Sequence, residues 1–414
     1  MTKPEEITER PDQAGALFTI FSIWTFIVLC RPQDYLSLLG KIRPSLTLGL
    51  ITLLIYFSNS GKSEKISNDN QFRMYRYLLM VMILGVPFSY YRSASMKDVF
   101  YYASITTMFF YLFYQLVNTF QKLLSLLFAY CSGVAVYAIY ILISGNFSSG
   151  RIYFGSMFDP NDIAYFIISF LTFNFLFISK NNRGYMRIIS VINILISLIV
   201  ILKTGSRGGL IALIAVLAFL LFKKSSTIKL SIVTKSAFVL IAIISLQFIS
   251  MDTERYKTIL DVQDDYNITG EEGRIAIWKT GMKLMLTHPL TGVGFNRFYE
   301  AVGQDREKRG LPPKWQTAHN SLVQIGAETG IIGLILFCLM SLNVFRITRL
   351  VIDKARSIEL VKLSEMARVG FIGLFISAMF LSQAYSIYWA FYIVLSAVLK
   401  HLLDKETETA EIIA

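Results

Sequence analysis

Apolar runs of roughly 17 to 25 residues recur along this 414-residue chain, the length an α-helix needs to cross a bilayer. They predict twelve helices, at about 15–30, 44–58, 74–90, 98–118, 122–144, 161–179, 187–203, 207–222, 230–250, 317–342, 367–383 and 386–403. One long polar stretch interrupts them. The pattern divides the chain into an N-terminal segment 1–14, nine helices within 15–250, a loop 251–317, three helices within 318–403 and a tail 404–414. The expected fold is therefore all-α: a polytopic membrane bundle of about twelve transmembrane helices with one large loop.

Inside that loop the period changes. Ile275, Trp278, Met282 and Met285 recur at helical spacing after Glu271-Glu272-Gly273-Arg274, an apolar stripe that predicts a helix lying on the bundle or at the membrane interface. His288-Pro289 ends it, Gly292-Val293-Gly294 makes a turn, and Pro312-Pro313 stiffens the return to the membrane. Beyond the loop, Asn320, Gln324 and Glu328 stand at i, i+4 and i+8 and form one polar stripe on an otherwise apolar helix. Gly326 and Gly330 give a spacing that lets another element pack closely.

Composition agrees with the membrane class. The chain is 54% hydrophobic and 16% charged, with mean hydropathy +0.53, whereas soluble domains carry about 25% charged residues. Met1 to Asp12 is polar and mixed in charge, so no cleavable signal peptide is expected. Cys30, Cys131 and Cys338 all lie in or at the ends of apolar runs without a CxxC pair, which predicts neither disulfides nor a thiolate metal site. Asp264-Asp265 lacks further ligand spacing and reads as a solvated acidic run.

The charge sets the orientation. With a cytoplasmic N-terminus, 22 Lys/Arg fall on inside segments and 8 on short outside loops, the remaining 10 lying in the long loop. Short cytoplasmic loops favour Lys/Arg, so both termini are expected inside and the loop in the periplasm. The net charge of +12 follows from this bias. A nucleic-acid partner would need a soluble basic face, and none is present; the expected surroundings are membrane lipids.

Several residues could carry chemistry. His319 stands where the loop meets the tenth helix, in Gln316-Thr317-Ala318-His319-Asn320-Ser321. A neutral imidazole there can accept a proton near neutral pH; a polar helix cap is the plainer reading. Thr204-Gly205-Ser206-Arg207-Gly208-Gly209 precedes another apolar run, where free backbone N–H groups favour anions. Arg207 adds a fixed charge there, or simply snorkels to the interface. Lys203, one turn earlier, shares either role. Arg274 either forms a surface ion pair with the adjacent acids or binds phosphate through its planar fork. Arg297 is a further anion-binding candidate. Glu328 points inward as a structural hydrogen-bonding group or a site residue, and Asp159-Pro160-Asn161-Asp162 opens the sixth helix as a cap.

In this order the patches resemble the O-antigen ligase superfamily, which includes O-antigen polymerases and protein O-oligosaccharyltransferases. The resemblance rests on Ser206-Arg207-Gly208-Gly209, on Arg274 through His288-Pro289-Leu290-Thr291-Gly292-Val293-Gly294, and on His319-Asn320 through Glu328-Thr329-Gly330. The Asp159-Pro160-Asn161 start is similar as well, and Arg31-Pro32-Gln33 resembles some ligase-like members. It implies a GT-C-like bundle in the bacterial inner membrane with a periplasm-facing site. The implied donor is a glycan on polyprenyl (undecaprenyl) diphosphate, and the implied acceptor a hydroxyl of lipid A core or another glycan. It implies His319 as general base, Arg207 and Arg274 as diphosphate ligands, and Lys203, Ser206, Asn320, Arg297 and Glu328 as substrate-binding residues. No cofactor or metal is expected, and direct displacement would invert the anomeric centre. A repeat-unit polymerase or a protein O-oligosaccharyltransferase would use the same donor. A transporter would place its charge near the bilayer midplane, whereas here it gathers at the outer edge and in the loop.

Overall fold

The computed structural model describes residues 11–34, 36, 38, 41, 44–59, 69–148, 150–154, 159–179, 182–222 and 273–413. The expected helix at 230–250, the basic residues Lys223, Lys224 and Lys229, Asp264-Asp265 and Glu271-Glu272 lie outside them.

Among the described residues the fold is all-α apart from one small hairpin. The N-terminal half holds α1 (Pro11–Cys30), α2 (Pro44–Asn59), α3 (Asn70–Gly85), α4 (Arg92–Leu116) and α5 (Phe120–Ser144). Next come α6 (Pro160–Leu171), extended by a 3₁₀ stretch Thr172–Leu176, α7 (Gly184–Lys203) and α8 (Arg207–Phe222). The polar loop carries α9 (Arg274–Thr287) and α10 (Phe298–Lys308). The chain ends with α11 (Ser321–Lys354), α12 (Ile358–Ala378) and α13 (Ile387–Ile413). Polar caps set several starts: Asp69, Thr119, Asp159, Asn320 and Ser357 each accept backbone N–H groups of the following turn, satisfying donors a helix cannot pair itself.

A helix stands at every expected position within the described residues. Four of them are long and apolar enough to cross a membrane: Phe120–Ser144, Gly184–Lys203, Ser321–Lys354 and Ile387–Glu411. Gly15–Cys30, Pro44–Ser58 and Arg207–Leu221 are apolar but shorter. The chain is thus a helical membrane protein; among the described residues four helices meet both the length and the hydropathy of a span, and the other expected spans are not established by that measure.

Three features depart from the sequence pattern. First, β1 (Asn146–Ser148) pairs antiparallel with β2 (Arg151–Tyr153), Phe147 opposite Ile152. The turn uses Gly150 at φ 70°, a backbone region open to glycine at little cost. Second, α11 runs to Lys354 and α12 begins at Ile358, so their charged ends form a helical hairpin beyond the apolar runs. Third, α11 is broken at Gly330, at φ 73° and ψ −174°. The loop from His288 to Gly294 passes alongside the break and pairs with it. Ile331 N–H donates to Pro289 O (2.8 Å), Val293 N–H to Ala327 O (2.9 Å) and Gly294 N–H to Glu328 O (3.1 Å). Backbone groups freed by the break are therefore re-satisfied by the loop, as burial in an apolar medium requires.

The main core is aromatic and centred on α13, whose Phe391 packs on Phe113, Tyr130, Phe170 and Phe173. A second, smaller core holds the loop to the bundle: Ile277, Leu284, Val293, Phe298, Ala301, Val302, Ala318 and Ala327. Here the expected stripe on α9 is rotated. Ile277, Gly281 and Leu284 face inward, while Ile275 and Met282 are exposed. Gly281 allows this by admitting Val323 of α11, where any Cβ would collide. Gly326 in turn admits the Met285 sulfur, so the small face of α11 receives the loop helix.

Candidate active site at converging helix starts

His319 occupies the turn that opens α11, with a left-handed backbone at φ 47°. Non-glycine residues adopt this region rarely and at a cost, so neighbours must hold it there. They do so on three sides. The His319 N–H donates to Ser382 Oγ (2.8 Å). Trp278 of α9 donates its indole N–H to Ala318 O (3.0 Å). Asn320 Oδ1 accepts the N–H groups of Leu322 and Val323 (2.9 and 3.1 Å), making Asn320 the helix cap. The imidazole Nε2 lies 3.4 Å from Thr317 Oγ1.

The turn 379–386, between α12 and α13, binds these helix starts together. Ser321 Oγ donates to Leu381 O (2.9 Å) and accepts from Gln383 N–H (3.1 Å). Gln324 Oε1 accepts from Ala384 N–H (3.1 Å). On its other side, Gln383 Nε2 donates to Asp162 Oδ1 in the first turn of α6 (2.8 Å). Phe380 of the same turn lies against Gly208 at the start of α8, too close for a Cβ there. The starts of α6, α8 and α11 thus converge on one turn, and α9 reaches the same place through Trp278. Helix starts carry unpaired N–H groups and partial positive charge, which suits an anion.

Electrostatics join the parts. Burial lowers the pKa of His319 below its ordinary 6.5, the Arg274 charge lowers it further, and Asp159 opposes both. The imidazole is therefore neutral near neutral pH and able to accept a proton. Arg274 and Asp159 both lie within electrostatic range of it. Arg207 heads α8, and its Gly205-Ser206 approach is shaped locally. Gly205 takes φ 58°, and Ser206 Oγ accepts the Gly209 N–H (3.1 Å).

Other sequence candidates fall into different places. Ser206 is buried as that cap. Lys203 lies over the Phe147 ring of the hairpin at 4.7 Å. Arg297 is buried in ion pairs with Asp98 and Glu300 and donates to Phe295 O (3.3 Å). Glu328, 2% exposed, accepts the N–H groups of Asn296 (3.1 Å) and Phe298 (3.0 Å). Arg297 therefore joins the loop to α4, and Glu328 joins it to α11 while also interacting with Tyr385 of the 379–386 turn. The stripe Asn320, Gln324, Glu328 exists as expected, but each side chain holds backbone.

Two further arginines stand in this region: Arg151, which no sequence pattern singles out, and Arg31 of the Arg31-Pro32-Gln33 patch. Arg151, 8% exposed, donates from Nε to Thr204 O (2.9 Å) and from Nη2 to Asn161 Oδ1 (3.1 Å). It braces the start of α6 against the turn before α8. Arg31, at φ 50° after α1, lies within electrostatic range of Asp162. A single arginine in a short loop carries no spacing signal, so only the fold reveals either role. Among the described residues no group of three or more His, Cys, Asp or Glu is arranged to hold a metal ion.

The described residues thus form a helical membrane bundle in which the starts of α6, α8 and α11 meet at one turn beside His319, itself within electrostatic range of Arg274. Residues 192–338 match the family described as O-antigen ligase, and this supports the O-antigen ligase superfamily and a glycosyl-transferring enzyme of the ligase or polymerase type. The matched stretch runs from within α7 to within α11 and contains Arg207, Arg274 and His319. No curated protein matches the chain.

Proposed function

We propose that the protein transfers a glycan from a polyprenyl diphosphate carrier to an acceptor hydroxyl, with lipid A core oligosaccharide as the acceptor class. The observation that carries this reading is the junction of His319 with Arg274 and the starts of α6, α8 and α11. The acceptor oxygen attacks the anomeric carbon as its proton passes to the His319 imidazole. A new C–O bond forms, the bond from the anomeric carbon to the diphosphate oxygen breaks, and polyprenyl diphosphate leaves. Arg207 and Arg274 bind the diphosphate and offset the charge that grows on it. Direct displacement inverts the anomeric centre. In this reading Asn320, Glu328 and Arg297 position the site without touching substrate, and Lys203 lies at its rim. The loop 251–317 and the site face the periplasm, and both termini face the cytoplasm, as the Lys/Arg asymmetry supports.

Reconstitution with a defined polyprenyl-diphosphate glycan and separate acceptors tests the proposal. Release of polyprenyl diphosphate with glycan joined to a lipid A core acceptor is the expected result. Products lengthened by whole repeat units on the carrier would identify a polymerase instead. Movement of lipid between leaflets without diphosphate release would overturn the proposal.

A further inference from the structure

At the far end of α11 from His319, a cleft of about 360 Å³ opens between the start of α3, the lower half of α11 and Lys400 of α13. Next to Asn70 of the lining, Gln71 is fully buried, and its Nε2 donates to Met340 O (3.2 Å) and Ser396 Oγ (2.9 Å). One bridge thus ties α3, α11 and α13, the three helices that line the cleft. Asn343 and Arg346 follow Met340 along α11, and Lys400 follows Ser396 by one turn of α13.

The lining is cationic beyond its own needs. Its two acids are already engaged: Asp69 caps α3 (2.7 Å to Gln71 N) and Asp353 pairs with Arg349 (2.6 Å). Arg346, Lys354 and Lys400 make no ion pair among the described residues. Asn343 Nδ2 is buried in the lining without a hydrogen-bond partner among them, and a buried donor is costly to leave unmade. Three cations and an unused donor around one cavity specify an anion.

The surface above the cleft names the source. Ile335, Leu339 and Leu342 are exposed on α11 at 51%, 46% and 62%. They share one helical face with Arg346 and Arg349, at steps of three and four residues. From Ile335 to Arg346 this face runs about 16 Å along the axis, close to half the ~30 Å hydrocarbon thickness. An apolar track one leaflet long therefore ends in a basic cavity. We propose that the cleft binds a phosphate-bearing anion, held as the headgroup of an anionic phospholipid whose acyl chain lies on the Ile335–Leu342 face. The leaflet is the one opposite His319, so the site is separate from the transfer chemistry.

The test uses the full chain in detergent, with native mass spectrometry and thermal melting as readouts. Dioleoylphosphatidylglycerol should be retained over dioleoylphosphatidylcholine and should raise the Tm. Arg346→Gln/Lys400→Gln should weaken that preference by about tenfold or more, the scale for two basic residues at a lipid headgroup. Arg306→Gln/Lys314→Gln, removing equal charge elsewhere, should leave it unchanged. Inorganic phosphate or glycerophosphoglycerol that stabilises as strongly as the lipid would keep the anion site but overturn a lipid source. An equal phosphatidylglycerol preference in wild type and Arg346→Gln/Lys400→Gln, each folded in phosphatidylcholine, would overturn the proposal.

Discussion

The His319 backbone N–H is held by the Ser382 hydroxyl at 2.8 Å, across 63 residues of sequence. This bond fixes a strained residue to the turn that also receives the starts of α6, α8 and α11. Ser382→Ala leaves the imidazole in place but removes its restraint. A single such bond contributes about 0.5–1.5 kcal/mol, so transfer should slow by up to roughly tenfold with little change in donor affinity. Ser382→Thr, which keeps the hydroxyl, should retain most activity. Single-turnover transfer and donor binding, measured on the same preparations, separate the two effects.

The pH dependence should bear the mark of Arg274. Burial and the Arg274 charge hold the folded His319 pKa below 6.5. A general base works in its neutral form, so transfer should rise with pH through that lowered value and be flat above neutrality. Folding stability follows the same sign: the folded state takes up the His319 proton less readily than the unfolded chain. This contribution penalises the folded state as pH falls below the unfolded value, and it vanishes above it. Arg274→Gln removes the depressing charge and leaves the effect of burial, so the residual rate should show its inflection moved upward towards 6.5. His319→Ala should slow transfer by about 10²- to 10⁴-fold with donor binding largely kept. A pH–rate profile of each variant checks both statements.

The sequence makes some of this legible and hides the rest for definite reasons. Helix positions follow from apolar run length, and the cap Asp159 follows from side-chain type; Asn320, expected in the polar stripe, takes the cap expected of His319. His319 stands out because it is a lone imidazole at a helix start. Arg151 and Ser382 do not, since an isolated arginine and a serine in a short turn acquire meaning only when distant segments meet. The rotated face of α9 was equally hidden. Its inward side is set by Gly281 admitting Val323, and no count of apolar positions weights a glycine as a contact. The break at Gly330 is invisible because residues 331–342 continue the apolar helical pattern without a polar signal.

The two arginines should not tolerate lysine. Arg207 and Arg274 head α8 and α9, and their proposed task is bidentate binding of diphosphate oxygens. Lysine keeps the charge and loses the planar fork. Arg207→Lys and Arg274→Lys should each lower transfer by about tenfold or more, since charge-assisted bonds contribute roughly 1.5–3 kcal/mol. Both should insert and melt like the wild type. Arg151→Lys, by contrast, loses the two-point brace to Thr204 and Asn161 and should lower both Tm and transfer. Activity at matched protein levels, with melting curves, distinguishes ligand from brace.

The junction of loop and broken helix should be the most sensitive structural point. Gly330 has φ 73°, and a Cβ there would collide with the Pro289 carbonyl oxygen. Gly330→Ala therefore adds backbone strain of order 1–3 kcal/mol, and the collision pushes the loop away from α11. Glu328, two residues before, holds the Asn296 and Phe298 amides through its two carboxylate oxygens. Glu328→Gln has one carbonyl oxygen for two donors and would leave one of them unpaired, at about 1–3 kcal/mol. Both variants should lower Tm and expose residues 288–298 to protease, while α5 and α7, which do not touch the junction, stay protected. Glu328→Gln with wild-type loop protection but lost transfer would instead place Glu328 in the chemistry. Limited proteolysis with fragment mapping, run beside the transfer assay, decides between positioning and catalysis.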